Sequence, residues 1–575
     1  MSDAVKHECA VAMLRLRRDV GYYERKYGTP CYALDRIALL LEKQHNRGQD
    51  GAGVASLRLS PEPGTPAYRL VKSAAPVNPL ADLLDKLGAE REKFSGELLL
   101  GHLRYATFGR NDIGCCYPFV HESTCLGRML LLAGNFNLTD NREMYERFIA
   151  LGHHPASRAD GYLLLQTIAH HLEKEANINP AAPDLVKVLR QALNPLDGAF
   201  TLCGMTGAGD VFAIRDSHGI RPGYFYFDDE VFAVASERPA IQAAFNRASA
   251  EVMEIPPGKA VIVRKSGEIA IEDCLDPKTK RGCVFERIYF SRANDADIHR
   301  ERRELGRQLA PAVLEAAGHD FDNTVVSYIP NSAQVCFHGL LEELNRRALD
   351  SGHCVRFGQV AVKDAKFRTF ITDAAHRGEM YRHVYDVTYG IVRPGSDTLV
   401  VVDDSIVRGN TMRNAILPML DRLGPRKIVV ASSAPPVKYP DCYGIDMATA
   451  EELVAFQAAV SLLKKRGRSD ILDEAYRLAK ADLAGKSGEM KNRMRMIYDA
   501  ISEAELVRGI AELLTPPELK AEFEVVYQSC EALRHCCPEH RGDWYFTGDY
   551  PTPGGVAVVN RALINFMEHN HERAY

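Results

Sequence analysis

The stretch whose reading decides the fold is VVVDDSIVRGNT, Val400–Thr411. With Leu399 before it, four apolar residues run straight into two adjacent aspartates, Asp403 and Asp404. A short unbroken apolar run reads as a strand covered on both faces, the habit of parallel sheets. The runs NTVVSYIP (323–330) and KIVVASSAPP (427–436), with the helical pattern CFHGLLEELNRRALD (336–350), repeat the alternation of strand and crossover helix. In such an open sheet, ligands gather beyond the carboxyl ends of the strands, where Asp403 and Asp404 stand. Adjacent carboxylates suit two neighbouring hydroxyls, such as a ribose diol, or a hard cation with oxygen ligands. Ser405–Thr411 then forms a loop entering a helix near Met412, and its backbone N–H groups offer an anion site for a phosphate. Pro418 shortens or kinks that helix.

A P-loop is excluded. Its G-x-x-x-x-G-K-[ST] pattern is absent, and the nearest fragment, Gly485-Lys486-Ser487, has Lys480 where the first glycine belongs. A merely capped turn needs one or two polar side chains, fewer than this loop supplies.

Outward from this stretch, 575 residues exceed one compact core and predict two to four domains. A net charge of −5 with no basic stripe excludes a nucleic-acid surface. No apolar run approaches the ~18 residues of a membrane span. The start, MSDAVKHECAVAMLRL, lacks the basic and apolar regions of a secretory signal. Fourteen scattered cysteines then read as reduced thiols, and a cytoplasmic location is expected. Up to about residue 262, short apolar strands such as MLLLAGNFNLTD, GAFTLCGM and GDVFAIRD alternate with helical patterns such as ADGYLLLQTIAHHLEKEA, predicting a layered α+β domain. Residues 283–455 read as the α/β parallel-sheet domain. Residues 456–575 read as a helical extension ending in the turn-rich tail GDWYFTGDYPTPGG.

VVVDDSIVRGNT closely resembles the phosphoribosylpyrophosphate (PRPP) loop of type I phosphoribosyltransferases, and within them the glutamine-dependent amidophosphoribosyltransferases. CVFERIYFSR (Cys283–Arg292), RTFI (Arg368–Ile371), SAPPVKYP with YGIDMATAEELVA, and the terminal FTGDYPTP resemble that family in order. In the first half, QHNRGQDGAG (Gln44–Gly53), GHLRYATFG (Gly101–Gly109), AGNFNLTD (Ala133–Asp140) and RDSHGIRP (Arg215–Pro222) resemble a class II, N-terminal-nucleophile glutamine amidotransferase domain. The resemblance covers most of the chain. It implies an αββα glutaminase domain over 9–262, two sheets between helical layers, preceded by a removable propeptide, 1–8.

The resemblance also implies roles. Cys9 would be the nucleophile and its own α-amine the base, since that amine titrates near neutrality. Arg104 would hold the glutamine α-carboxylate and Asp160 the α-amine, while the Asn135 side chain and the Phe136 N–H form an oxyanion hole. Asp403 and Asp404 would hold the ribose diol and Mg²⁺. Ser405, Ile406, Val407, Arg408, Gly409, Asn410 and Thr411 would hold the 5′-phosphate. Lys363 and Arg368 would close over the diphosphate, and Ser332 would offer an oxygen to Mg²⁺. Glutamine hydrolysed at Cys9 would release ammonia, which displaces pyrophosphate from PRPP to give phosphoribosylamine. Purine nucleotides as feedback inhibitors and a homodimer or homotetramer are further family expectations.

The sequence departs from the pattern in places. Phe136 stands where the family has glycine, Asn46 is an extra residue between His45 and Arg47, and Pro330-Asn331-Ser332-Ala333 lacks an acidic residue of the pyrophosphate-side loop. Iron–sulfur members carry four cysteine ligands. Here Gly542 and Tyr545 occupy two of those positions, Cys283 matches one, and Cys442 is offset by one residue. Cys530, Cys536 and Cys537 lie nearby, but the pattern is incomplete and no cluster is expected. Two alternatives remain: an amidotransferase with a different acceptor, and a non-catalytic PRPP- or nucleotide-sensing regulator.

Overall fold

The structure is a computed structural model that describes residues 9–105, 112–349, 352–363, 385–445, 447–485 and 489–574. The expected propeptide and Arg368 lie outside the described residues. The described chain divides into two compact units, one of 9–283 with 442–445, the other of 284–441 with 447–574.

The first unit holds two antiparallel sheets. One has seven strands, in the order Met253–Glu254, Tyr224–Phe227, Val231–Ala235, Ala10–Leu16, Leu98–Arg104, Gly51–Leu57, Tyr68–Ser73. The other has six: Ile269–Asp273, Lys259–Val263, Val211–Arg215, Gly198–Thr206, Leu130–Leu138, Phe119–His121. Side chains alternate between the faces of a strand, and both faces here are covered. From Ala10–Leu16, residues Ala10, Ala12, Leu14 and Leu16 join a core under the helices Tyr32–Glu42 and Arg238–Phe245. Val11 and Met13 enter a second core between the sheets. Likewise Leu130 and Leu132 face the helices Asp160–Ile178 and Leu185–Leu193, while Leu131 and Ala133 face the other sheet. This explains apolar runs such as LLLAG in antiparallel strands. Each buried Leu contributes roughly 1.5–3 kcal/mol, so the unit is anchored through three apolar layers, the αββα arrangement.

The second unit is built on a five-stranded parallel sheet in the order Arg356–Phe357, Thr324–Tyr328, Thr398–Asp403, Lys427–Ser432, Glu522–Tyr527. In chain order this is 2-1-3-4-5, and the switch point lies between Thr324–Tyr328 and Thr398–Asp403. The central strand therefore delivers Asp403 and Asp404 to the crevice of the sheet. The residues beyond 455, expected as a helical extension, do form the helices Val454–Lys465, Asp470–Leu483, Glu503–Leu514 and Pro553–Met567. They also supply the strand Glu522–Tyr527, which pairs with Lys427–Ser432 over six residues. Past Thr411 the chain makes a π-helical turn, Met412–Ile416, then a short α-helix, Leu417–Asp421, with Pro418 in its first turn. Ala361–Lys363 pairs with Tyr385–Val387 in a separate two-stranded ribbon that includes the backbone of Lys363.

Candidate functional sites

In the first unit, Cys9 immediately precedes the strand Ala10–Leu16, and Ala10 lies opposite Leu103. That register sets Cys9 beside the end of the neighbouring strand, where the Tyr105 N–H donates to Cys9 Sγ at 3.4 Å. Burial pushes the Cys9 thiol up to about 11, against the backbone contact at Tyr105 and the charge of Arg104. Arg104 ends the strand Leu98–Arg104 and is buried. Asp160 opens the helix Asp160–Ile178, where a carboxylate complements the positive helix end, and its Oδ1 accepts from the Gly161 N–H at 2.7 Å. Burial raises the Asp160 carboxyl, opposed by the Gly161 N–H and by Arg104. Asp160 and Arg104 both act electrostatically on Cys9, so the three expected residues share one site.

Asn135 and Phe136 lie on Leu130–Leu138, opposite Thr201 and Phe200. Phe136 has ordinary strand geometry, so the position does not demand glycine. His102 Nε2 is 3.0 Å from Gly134 O and ties this strand to the first sheet. The RDSHGIRP motif braces the same place. Asp216 accepts hydrogen bonds from the backbone N–H groups of Phe200, His218 and Ile220, locking the turn behind Phe200. In QHNRGQDGAG, Asn46 and Arg47 share one partner. Asn46 Nδ2 and Arg47 Nε both donate to Glu237 Oε1, at 2.8 and 2.7 Å. The Asp50 N–H donates to Arg104 O at 2.9 Å, and Gly48 lies directly on the Leu103–Arg104 backbone.

In the second unit, Asp403 and Asp404 terminate the central strand. The Asp404 N–H donates to Asp403 Oδ1 at 2.9 Å, and Asp404 accepts from the hydroxyls of Ser332 and Ser405. Ser433 clamps the pair's backbone, its N–H to Asp403 O and its hydroxyl to Asp404 O at 3.0 Å. Burial and mutual repulsion hold the Asp403 carboxyl well above its ordinary value. Asp404 is raised by burial, with the Ser332 hydroxyl and the Arg302 charge opposing. Such a pair gains from a cation. Among the described residues, no group of three His, Cys, Asp or Glu side chains is arranged to hold a metal. Two carboxylates and a hydroxyl fit Mg²⁺ that arrives with substrate phosphates and keeps several waters.

The loop Ser405–Thr411 follows with Gly409 at φ 79°. Ile406 and Val407 are buried, Asn410 is exposed, and Val407 O accepts from the Val454 N–H. Arg408 forms an ion pair with Glu452 at 2.7 Å. At the expected iron–sulfur positions, Gly542 O accepts from the Val284 N–H, and the buried Tyr545 ring packs 4.8 Å from Phe285. Beside them Trp544 Nε1 donates to Asp441 Oδ1 at 2.9 Å.

Three residues near these sites escape sequence reading. Arg302, within the charged run HRERRELGRQ, is buried and donates to Arg287 O and Ser291 O, yet its charge reaches Asp404. Tyr527 carries a buried hydroxyl, and the Asp403 charge adds to burial in raising its phenol. Tyr117 lies between motifs and enters the Cys9 site. Only the Tyr-Pro step at 117–118 hints at it.

Comparison with known proteins agrees with this geometry. A family model described as a glutamine amidotransferase domain matches residues 118–243. The amidophosphoribosyltransferase of Pasteurella multocida is 28% identical over 442 residues, covering 75% of this chain and 81% of that protein. That of Methanocaldococcus jannaschii is 29% identical over 441 residues, covering 72% and 83%. Among solved structures, the glutamine PRPP amidotransferase of B. subtilis, complexed with ADP and GMP, superposes with a TM-score of 0.66 at 23% identity, over 95% of this chain and 97% of that one. An αββα unit and a parallel-sheet unit are joined on one chain that is similar along most of its length to amidophosphoribosyltransferases.

Proposed function

We propose that the protein is a glutamine-dependent amidophosphoribosyltransferase, converting PRPP and glutamine to 5-phosphoribosylamine, glutamate and pyrophosphate, the first step of de novo purine synthesis. One observation carries the reading: a single chain presents a thiol flanked by Arg104 and Asp160, and an aspartate pair ending the central parallel strand ahead of the Ser405–Thr411 loop.

With Cys9 as first residue after loss of 1–8, its α-amine takes the thiol proton as sulfur attacks the glutamine Cδ. Arg104 and Asp160 hold the α-carboxylate and α-ammonium. The side-chain amide of Asn135 and the backbone N–H of Phe136 stabilise the oxyanion. Ammonia departs with the proton from the amine, and water hydrolyses the thioester to glutamate. The ammonia nitrogen then forms a bond to C1 of PRPP as the bond to pyrophosphate breaks. Asp403 and Asp404 orient the ribose hydroxyls, Ser405–Thr411 bind the 5′-phosphate, and Lys363 and Arg368 close over the diphosphate. Mg²⁺, when bound with Asp403, Asp404 and Ser332 near it, neutralises charge on the leaving diphosphate. The enzyme works in the cytoplasm as a homodimer or homotetramer, with purine nucleotides as feedback inhibitors.

The test is release of glutamate and pyrophosphate from glutamine, with and without Mg²⁺ and PRPP, on protein whose N-terminus is read by mass spectrometry. Equal release that requires PRPP supports the proposal. Glutamate without pyrophosphate moves the assignment to another acceptor, and silence from a chain beginning at Cys9 favours a regulator.

A further inference from the structure

Tyr117 belongs to none of the motifs that carry the functional reading, yet its side chain enters the site around Cys9. It is 8% exposed. Its ring lies 4.5 Å from that of His102 and 4.6 Å from that of Phe119, and meets Phe136 edge-on at 5.9 Å. These neighbours fix the ring and leave only the hydroxyl to be satisfied. That hydroxyl rests on the first turn of the helix Asp160–Ile178, because a Cβ built on Gly161 would stand 2.1 Å from it. The charges of Asp160, Cys9 and Arg104 all act on it, Asp160 most strongly, and burial holds the phenol well above its ordinary value. The hydroxyl is therefore neutral and beside Asp160.

An amino acid's α-ammonium presents three N–H donors, more than one carboxylate accepts in good geometry. We propose that the Tyr117 hydroxyl is a second, uncharged acceptor for the substrate α-ammonium. With Asp160 it makes the site selective for free glutamine over analogues whose α-amine is blocked or missing. This rests on the amidotransferase reading and deepens it. A buried polar group left unpaired by the wrong substrate discriminates more strongly than an apolar wall does.

The experiment compares the unsubstituted protein, processed to begin at Cys9, with Tyr117→Phe, using glutamine and its deamino analogue glutaramate. The readout is the ratio of kcat/KM for glutamine to that for glutaramate, which cancels any difference in active fraction. The ratio is expected to fall about tenfold or more in the variant, through a raised KM for glutamine, as for a lost hydrogen bond to a charged group. An equal loss on both substrates means that Tyr117 only supports the fold, and an unaltered KM means that it touches nothing; either overturns the assignment alone. Failure of the unsubstituted, Cys9-initiated protein to release glutamate from glutamine overturns the amidotransferase reading, and this assignment with it.

Discussion

Gly48 is the point at which a single methyl group should disable glutamine use. A Cβ on Gly48 would stand 2.4 Å from the carbonyl carbons of Leu103 and Arg104 and 2.5 Å from Arg104 N. All three are backbone atoms, so no side-chain rotation relieves the contact. Ordinary Cβ contacts begin near 3.4 Å, so the loop and the strand end must separate by about 1 Å. Leu98–Arg104 is paired with Ala10–Leu16 up to Leu103 and with Gly51–Leu57 through Arg104, so the displacement falls on the strand end at Arg104–Tyr105. That end carries the proposed carboxylate-binding guanidinium and the N–H that meets Cys9. A misplacement of about 1 Å costs on the order of 10²-fold in rate, equivalent to about 2.7 kcal/mol of transition-state stabilisation. Overpacking adds a stability loss of about 1–3 kcal/mol. Gly48→Ala should therefore lower glutamine-dependent kcat/KM about 100-fold, with a much smaller effect on phosphoribosylamine formation from added ammonium salts. A folded Gly48→Ala protein within about threefold of normal glutamine kcat/KM would refute the reasoning, because Arg104 would then tolerate the displacement.

Other outcomes are expected. Cys9→Ala should abolish glutamate release while PRPP still binds; continued glutamine use would exclude Cys9 as nucleophile. Asp404→Asn should weaken Mg²⁺-dependent PRPP binding about tenfold or more in calorimetry, by removing charge beside the cation, and unaltered affinity would remove Asp404 from the site. His102 is pushed down to about 3 by burial. Its folded-state pKa lies below the unfolded value near 6.5, so its contribution to stability is present above about pH 6.5 and declines by roughly 1.4 kcal/mol per unit as pH falls from there toward 3. Imidazole NMR shifts should show His102 neutral at pH 5, and titration near 6.5 would contradict its burial.

The sheets were legible where one sequence feature could mean little else. Leu399–Asp404 is too short for a buried helix and too apolar for a loop, and it is the central parallel strand. EFEVVY, at 522–527, carried no such signal. Its two glutamates among apolar residues suit a helix face as well as an edge strand, and only pairing with Lys427–Ser432 decides between them. Arg408, expected at the 5′-phosphate, bonds to Glu452, 44 residues away, a contact that spacing does not predict. Arg302 and Tyr117 were hidden for the opposite reason: nothing local marks them, and each matters through what the fold sets beside it. Arg368, expected over the diphosphate, lies outside the described residues.

Trp544 turns one hydrogen bond into an optical label. It is the chain's single tryptophan, fully buried, with its indole N–H held by Asp441 in the second unit. The first unit has tyrosines but no tryptophan. Emission excited at the red edge of the absorption band comes from the parallel-sheet unit alone, while far-ultraviolet circular dichroism sums both units. Denaturation followed by the two signals separates the unfolding of one half of the molecule from the other without a mutation or a dye. The same emission, watched during a titration with PRPP, reports whether the sheet tightens around its ligand while the glutaminase half stays spectroscopically silent.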